Sequence, residues 1–368
     1  MRVLFYSHQS HYVYGGEVVT LALARELSKR GEEVFFAAPP GPYLEKFRGL
    51  LGEAVFTVSS LEFRRSFAVI FRLIAALPST LIHLQKIVHE NRIEILHANT
   101  LKAIVYVWPL GFFFGLKVIW HHHDILPTRG LNQVWLRLLA RGARKIIVPS
   151  HAAKQALISA GIAPAKVEAI WNGFDPSEWS SPEGVRPARS FQIFFVGELS
   201  LRKGADLLPE IASRLAALAK KEFQIIVIGA ALSEPELAIS LKQRVKNEGL
   251  ESYFQFMGRR EDVKGLLREA DVLILPSRQD PFPTVVLEAA FSGVPIIASP
   301  VGGVPEMFRN GEGGRFAGNA EDFARELAEW VDDPIRARRE GALARQFAES
   351  NFSLGQMADQ VKAIYKNC

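Results

Sequence analysis

Cysteine is almost absent from this sequence: Cys368 is the only one among 368 residues, so no disulfide can form within the chain. Such usage is typical of a reducing compartment and predicts a cytoplasmic protein. Long apolar runs are missing as well. The longest, Ala103–Leu116, has 14 residues and contains Pro109, whereas about 20 are needed to cross a bilayer. We expect this run to form a buried helix or loop.

Three sequence signatures are also missing. The G-x-G-x-x-G fingerprint does not occur, which disfavours an NAD or FAD enzyme. No basic run with interleaved aromatic residues is present, so we expect no nucleic-acid partner. The opening residues Met1–Tyr6 predict a short strand rather than a signal peptide.

Acidic residues are scarce in the first half of the chain. Residues 1–180 carry 20 Lys and Arg against 13 Asp and Glu, a net charge of +7, and the remainder carries 24 against 26. This asymmetry favours an acidic partner or an anionic membrane surface, although ordinary solubilising charge explains it equally well. The segment Phe63–Leu77 is basic and amphipathic. It fits a membrane surface, but a core-facing helix with a solvated arginine edge is the preferred interpretation.

The hydrophobic fraction of 48% is ample for two packed domains. A strand–loop–helix rhythm runs through the first half, stops at the Pro- and Ser-rich segment Ser180–Ser190, and then restarts. This predicts two α/β domains, residues 1–180 and 181–350, joined by that linker. Within the second half, Ser233 with Glu236 predicts a capping box that begins a helix ending at Gly249.

The most informative stretch is Pro276–Pro295. It follows a predicted strand, Asp271–Leu275, and runs through three prolines into a predicted helix, Thr284–Phe291. Two carboxylates eight residues apart, Asp280 and Glu288, therefore lie near the carboxyl end of a strand and a helix N-terminus, where ligands and phosphates bind. Two carboxylates beside a phosphate site suit a ligand with hydroxyls at both ends and phosphates between them, and a nucleotide sugar is such a ligand. A solvated loop aspartate and a surface glutamate are the alternative.

Other candidate residues lie in loops after predicted strands. Gly15 and Gly16 precede a predicted helix from Glu17, where either ligand contact or a plain turn explains them. Lys203, just before a helix, suits a phosphate, although a solvated lysine is the alternative. In His121–Asp124, neighbouring side chains of an extended chain point to opposite sides, so a metal site is disfavoured; the alternation groups His121 with His123 and makes His122 the weakest candidate.

These motifs resemble those of the retaining group 1 glycosyltransferases (glycosyltransferase family 4-like), and the resemblance covers nearly the whole chain. The family's first acid, usually Glu, touches the donor sugar and matches Asp280; the second holds ribose and matches Glu288. Glu198 stands where the family has an arginine that binds the diphosphate, a role for which Arg202 and a residue of the first domain are the candidates. The remaining positions implied by the resemblance are donor-binding Gly15, Gly16, Lys203, Phe282, Pro283, Thr284 and Val285, and catalytic His123 near the sugar and the acceptor.

The resemblance implies a GT-B fold: two facing Rossmann-like domains, with a C-terminal helix, residues 351–368, returning to the first domain. It further implies metal-independent, retaining transfer of a hexose from a UDP- or GDP-sugar to an acceptor hydroxyl, without a cofactor, in glycan or glycolipid assembly. The acceptor would be a sugar, a lipid-linked or a small molecule, with possible contact to an anionic membrane. A nucleotide-sugar epimerase on the same fold and a non-catalytic sugar-nucleotide- or glycan-binding protein are the alternatives.

Overall fold

The computed structural model describes residues 1–11, 15–58, 67–126, 130–179 and 190–368, with side chains throughout except at 67–78. The chain divides into two compact units. Unit 1 comprises Met1–Phe174 and Leu354–Cys368, and unit 2 comprises Asp175–Ser353. The side chains of the predicted amphipathic segment Phe63–Leu77 lie outside the described residues, and so does the predicted linker Ser180–Ser190 except for its last residue.

Unit 1 is a parallel sheet of seven strands with helices on both faces. In spatial order its strands are β3 Val55–Thr57, β2 Glu33–Ala38, β1 Arg2–Tyr6, β4 Ile95–Ala98, β5 Lys117–His121, β6 Lys145–Val148 and β7 Val167–Ala169. The helices that precede unit 2 are α1 Gly15–Lys29, α2 Pro42–Leu51, α3 Phe67–Glu90, α4 Leu101–Phe114, α5 Leu131–Gly142 and α6 His151–Ser159. Helices α3 to α6 pack on one face of the sheet, and α1 and α2 pack on the other.

Unit 2 repeats this plan. Its parallel strands, in spatial order, are β10 Phe254–Gly258, β9 Phe223–Ile228, β8 Phe191–Val196, β11 Val272–Leu275, β12 Ile296–Ala298, β14 Gly313–Phe316 and β13 Arg309–Asn310. Its helices are α7 Leu208–Leu218, α8 Pro235–Asn247, α9 Val263–Leu267, α10 Thr284–Phe291, α11 Ala320–Asp332 and α12 Pro334–Asn351. All six residues of β8 are buried, as expected of a central parallel strand covered on both faces.

The last helix, α13 Leu354–Lys366, belongs to unit 1. Its apolar residues Met357, Ala358, Val361 and Tyr365 are buried in the core that α1 and α2 share with the sheet. Lys362 forms an ion pair with Glu32, and Asp359 forms one with Arg30. Both partners lie just after the C-terminal end of α1. The C-terminal helix therefore returns to the first unit, as the predicted GT-B fold requires.

Three local predictions were wrong. Helix α8 begins at Pro235 without a side-chain cap, because proline fixes the first helical turn there and Ser233 takes no part in capping. Helix α1 begins at Gly15, so the glycine pair forms its first turn rather than a loop. The run Ala103–Leu116 is mostly helix, but Phe112–Phe114 at its end are exposed rather than buried. None of the helices within the described ranges is long and apolar enough to cross a membrane.

Both sheets reverse their strand order at the centre, between β1 and β4 in unit 1 and between β8 and β11 in unit 2. Loops that leave the two strands at such a switch point diverge and leave a crevice, which is where open α/β sheets bind ligands. The predicted site residues follow these strands. The topology thus explains why residues distant in sequence come together.

Candidate functional site

In unit 2, Lys203 and Asp280 meet at the switch point. Lys203 comes from the loop after β8 and Asp280 from the loop after β11, and Lys203 Nζ lies 2.5 Å from Asp280 Oδ2. Both side chains are largely buried, and Ser277 Oγ lies 3.5 Å from the same carboxylate oxygen. The N–H of Gly303 donates to the Asp280 carbonyl and fixes the loop. The two predicted ligand-binding side chains therefore form one ion pair.

The two loops also contact each other along their backbones. Arg278 N–H donates to the Arg202 carbonyl, and Arg202 Nη1 lies 3.3 Å from the Gln279 carbonyl. The Arg278 guanidinium binds both oxygens of Asp206 at 2.7 Å. Arg202 is thus held beside the Lys203–Asp280 pair, while Arg278 is occupied in joining the loops.

Gly204 is required for this arrangement. Its φ of 72° lies in the left-handed region, and a Cβ there would be 1.9 Å from the Pro276 carbonyl oxygen. Any other residue would force the loop after β8 away from the loop after β11. Gly204 therefore brings Lys203 within reach of Asp280.

Helix α10 places Glu288 one turn after Thr284, on the same helical face. Glu288 is half-buried, and burial raises its pKa to about 6, partly opposed by a hydrogen bond with Thr284 and by the charge of Lys264. The N-cap residue of α10 is Pro283, which provides no side-chain cap. The N-terminal N–H groups of α10 are therefore suited to an anionic ligand.

The positions Phe282 to Val285 contribute differently to such a site. The Phe282 ring is buried and packs edge-on against Phe352 at 5.7 Å, so only its backbone is free to meet a ligand. Pro283 has no N–H to donate, and its carbonyl accepts from Val286 N. Of these four positions, Phe282, Thr284 and Val285 have a backbone N–H, and Pro283 does not.

Glu198 follows β8 in a position that would place a negative charge near a bound phosphate. Its Oε1 accepts a hydrogen bond from Ser233 N at 3.0 Å. The carboxylate is therefore hydrogen-bonded to the loop before α8, where it accepts from a backbone N–H group. This gives Glu198 a structural role that the sequence did not indicate.

In unit 1, a cluster of histidines lies at the carboxyl ends of β4 and β5. The His121 and His123 rings lie 4.1 Å apart, whereas His122 points to the opposite face against Trp120. His123 Nε2 lies 2.9 Å from Asn99 Oδ1, which also accepts from Thr20 Oγ1. A Cβ on Gly16 would be 3.2 Å from the His123 ring, so Gly16 allows the ring to lie against α1.

A second set of contacts connects this cluster to α13. His97 Nε2 lies 3.1 Å from His121 Nδ1, and His97 Nδ1 lies 2.5 Å from the Tyr365 hydroxyl. Burial lowers the pKa of His97 to about 3 and that of His123 to about 4. For His123, the charge of Asp124 opposes this effect and the neighbouring His122 adds to it. Both imidazoles are therefore neutral at pH 7.

Sequence reasoning missed four residues of these clusters: Thr20, His97, Asn99 and Tyr365. Their positions at strand ends could have drawn attention to His97 and Asn99. No local signal marks Tyr365, which lies 268 positions from His97. Among the described residues, no three His, Cys, Asp or Glu side chains are grouped so as to hold a metal ion.

Comparison with known proteins agrees with this geometry. Two family models divide the chain between them: Glycosyltransferase Family 4 matches residues 13–178, and Glycosyl transferases group 1 matches residues 178–347. The second contains the Lys203, Asp280 and Glu288 site. The chain belongs to the group 1 glycosyltransferases.

Among relatives of this glycosyltransferase, alpha-maltose-1-phosphate synthase of Mycobacterium tuberculosis is 27% identical over 96% of both chains. The lipopolysaccharide core biosynthesis mannosyltransferase LpsB of Rhizobium meliloti is 30% identical over 53% of this chain and 56% of its own. The crystal structure of Anabaena HepE in complex with UDP-glucose superposes with a TM-score of 0.82 at 24% identity, covering all of both chains. That likeness confirms the GT-B fold.

Proposed function

We propose that this glycosyltransferase moves a sugar from a nucleotide-diphosphate sugar to an acceptor hydroxyl, with retention of the anomeric configuration, in glycan assembly. The observation that carries the proposal is the contact of Lys203 with Asp280 at the switch point. The Lys203 ammonium, which suits a phosphate, lies beside the acid that matches the family's sugar-binding residue, and this supports the proposal. UDP-glucose in Anabaena HepE favours a UDP-sugar, with a GDP-sugar as the alternative. LpsB supports a role in glycan or glycolipid synthesis.

Each candidate residue takes a distinct role. Lys203 and Arg202 bind the diphosphate together with the N-terminal N–H groups of α10, and Glu288 accepts hydrogen bonds from ribose. Asp280 binds the donor sugar with the backbone of Phe282, Thr284 and Val285, and Pro283 sets the start of the helix. In unit 1, Gly15 and Gly16 offer backbone N–H groups to the phosphates, and neutral His123 contacts the sugar and the acceptor.

In the transfer step, the bond between the anomeric carbon and the diphosphate oxygen breaks, and the acceptor oxygen forms its bond on the same face. The acceptor proton passes to an oxygen of the departing phosphate. No covalent nucleophile is assigned, because Asp280 is engaged by Lys203. The cation and the backbone donors offset the negative charge that develops on the leaving group, so we propose a metal-independent reaction.

We assign acceptor recognition to residues 1–180 and donor binding to residues 181–350, with 351–368 serving the first domain. We also propose that the enzyme works in the cytoplasm, peripherally at the inner face of the membrane. The net charge of +7 over residues 1–180 and the single cysteine support this location. The acceptor would then be a sugar, a small molecule or a lipid-linked species.

The first test is thermal stabilisation by UDP, GDP and ADP in EDTA. A nucleotide at 100 times its dissociation constant adds about 2.7 kcal/mol of stability. We expect a shift with UDP or GDP in the wild-type protein and none in Lys203→Ala. A product assay with the matching nucleotide sugar and added acceptor then separates transfer from epimerisation, which changes the donor without an acceptor.

The control must separate binding from folding, because Lys203→Ala leaves the Asp280 carboxylate buried without its cation. Such a change typically costs about 3–5 kcal/mol. The double variant Lys203→Ala/Asp280→Asn removes the stranded charge, so we expect it to recover stability but not nucleotide binding. Full nucleotide binding by the double variant would contradict the proposed role of Lys203. Binding without turnover on any nucleotide sugar would favour a non-catalytic sugar-nucleotide-binding protein.

A further inference from the structure

Helices α4 and α5 of unit 1 expose an unusual amount of apolar surface. Of the large hydrophobic side chains exposed in the described part of the chain, six belong to these two helices, with exposed fractions of 48% to 79%. They are Phe112, Phe113, Phe114, Leu131, Val134 and Trp135. In soluble proteins, such a concentration of exposed apolar side chains on neighbouring elements is typical of a binding surface.

The two helices form one continuous layer on the sheet. Trp108 Nε1–H donates to the Leu138 carbonyl at 2.8 Å, and a Cβ on Gly111 would lie 1.9 Å from the Gly142 carbonyl oxygen. Trp108 is only partly buried, and its ring stacks on Phe112 at 5.0 Å. Partly exposed Trp108 therefore lies between Phe112, near the end of α4, and Leu138 on α5, which is about one turn after Trp135. We call this surface the α4–α5 face.

Positive charge predominates around this face. Between Ile95 and Val167 the sequence has nine Lys and Arg residues but a single acid, Asp124. Neither α4 nor α5 contains Asp or Glu. The exposed basic side chains on or beside the two helices are Lys102, Lys117, Arg137 and Arg141.

A groove of about 730 Å³ opens beside the end of α4. Its apolar lining includes Ile82, Leu110 and Phe114, and its cationic lining includes Lys86 and Lys117. Glu94, the one acid in the lining, accepts a hydrogen bond from the backbone N–H of Arg2. The groove thus combines apolar side chains with amines and other polar groups, a mixture that suits the head group and upper acyl chain of an anionic lipid.

We propose that the α4–α5 face docks on the surface of an anionic lipid bilayer. The aromatic and aliphatic side chains enter the boundary between head groups and acyl chains, and the Lys and Arg side chains pair with lipid phosphates. A second copy of this chain is a poor occupant, because a two-fold contact would bring two acid-free cationic faces together. Charge complementarity therefore selects an anionic membrane.

This inference gives the membrane contact proposed above a defined surface, and it does not depend on sugar transfer. The α4–α5 face lies within the domain assigned to acceptor recognition, but none of its residues has been given a role in donor binding or in the transfer step. A failure of membrane binding would leave the proposed reaction intact, and a failure of the reaction would leave the docking surface intact.

The test is co-sedimentation with phosphatidylcholine vesicles that contain or lack phosphatidylglycerol. We expect binding to the anionic vesicles only, weakening as salt is added. Phe113→Ser/Phe114→Ser should reduce the partition coefficient by at least about tenfold, because two large apolar side chains are lost. The matched control is Ile335→Ser/Leu343→Ser, which removes two exposed apolar side chains of α12 in unit 2 and should bind like the wild type.

Trp135 provides a direct readout of insertion. Its fluorescence should shift to the blue on anionic vesicles, and the shift should be missing in Trp135→Phe. Nucleotide-induced thermal stabilisation of the Phe113→Ser/Phe114→Ser variant should match the wild type, which shows that it is folded. Failure of the wild-type protein to bind anionic vesicles, or equal binding by the two double variants, would overturn the proposal. Dimerisation that Phe113→Ser/Phe114→Ser abolishes would also overturn it, in favour of a self-association surface.

Discussion

Asp280 and Glu288 lie eight residues apart, yet they occupy different electrostatic environments. The Asp280 carboxylate has the ammonium group of Lys203 at 2.5 Å, so its charge is neutralised within the buried loop. Glu288 has no such contact; the nearest cation that affects it is Lys264, and burial dominates its pKa. The same acidic motif therefore holds one ion-paired and one desolvated carboxylate, and burial raises the pKa of the second, Glu288, to about 6.

Glu288 leads to a prediction for donor binding. With a pKa of about 6, its carboxylate is charged at pH 7.5 and mostly protonated at pH 5. The charged form accepts the stronger hydrogen bonds from ribose hydroxyls. The affinity for UDP-glucose, whose phosphates do not titrate in this range, should therefore fall up to about tenfold between pH 7.5 and pH 5.

Calorimetric titration at several pH values measures this dependence. Glu288→Gln keeps the shape of the side chain but cannot ionise, so it should bind more weakly at pH 7.5 and show a flatter pH profile. An equally steep profile in Glu288→Gln would place the titrating group elsewhere.

At the scale of elements, helix α13 packs on the core of unit 1 and also contacts its histidine cluster. Its Tyr365 hydroxyl contacts His97, which contacts His121, which lies against His123. Burial raises the pKa of Tyr365 well above its usual value, so the phenol remains a hydrogen-bond donor at physiological pH. If it donates to His97 Nδ1, then His97 Nε2 carries the proton shared with His121. Tyr365 would in this way fix both tautomers and act as a positioning residue.

Tyr365→Phe removes this hydroxyl while keeping the ring. We expect the nitrogen-15 shifts of the His97 and His121 imidazoles to change, and kcat to fall several-fold with little change in the KM for donor. Tyr106→Phe, in the opposite layer of unit 1, makes the same chemical change away from the histidines. Unchanged imidazole shifts in Tyr365→Phe would show that the phenol does not set the tautomers.

At the scale of the whole molecule, buried histidines make unit 1 sensitive to acid. Burial lowers the pKa of His8 and His97 to about 3, and it also lowers the pKa of His121, His122 and His123. These groups bind protons near pH 6.5 only when the chain is unfolded. Their contribution to the free energy of unfolding is therefore fully present above pH 6.5 and is lost as the pH falls below that value.

We expect the free energy of unfolding to fall between pH 6 and pH 5 by up to about 1.4 kcal/mol per pH unit for each buried histidine. Urea unfolding followed by tryptophan fluorescence measures this slope. His8→Asn has one such histidine fewer and should show a correspondingly smaller slope. A free energy that stays constant from pH 7 to pH 5 would contradict this account.

The fold class was predicted from the sequence and is confirmed, and the sequence also indicated most of the candidate residues for donor binding. Apolar strand runs, prolines and glycines specify local backbone structure, so helix Thr284–Phe291 was predicted with its observed bounds, and the group 1 motifs identified the family. Asp280, Glu288 and Lys203 were found because residue type and loop position carry their chemistry. These features are local in sequence and need no knowledge of packing.

The contact partners of these residues are visible in the tertiary structure and not in the sequence. The Lys203–Asp280 ion pair joins positions 77 apart, and the Tyr365–His97 contact joins positions 268 apart. Which elements pack together likewise determines that Phe112–Phe114 are exposed and that Glu198 accepts a hydrogen bond from Ser233 N. Such contacts arise from strand order and helix packing, which bring distant segments together without a local sequence signal.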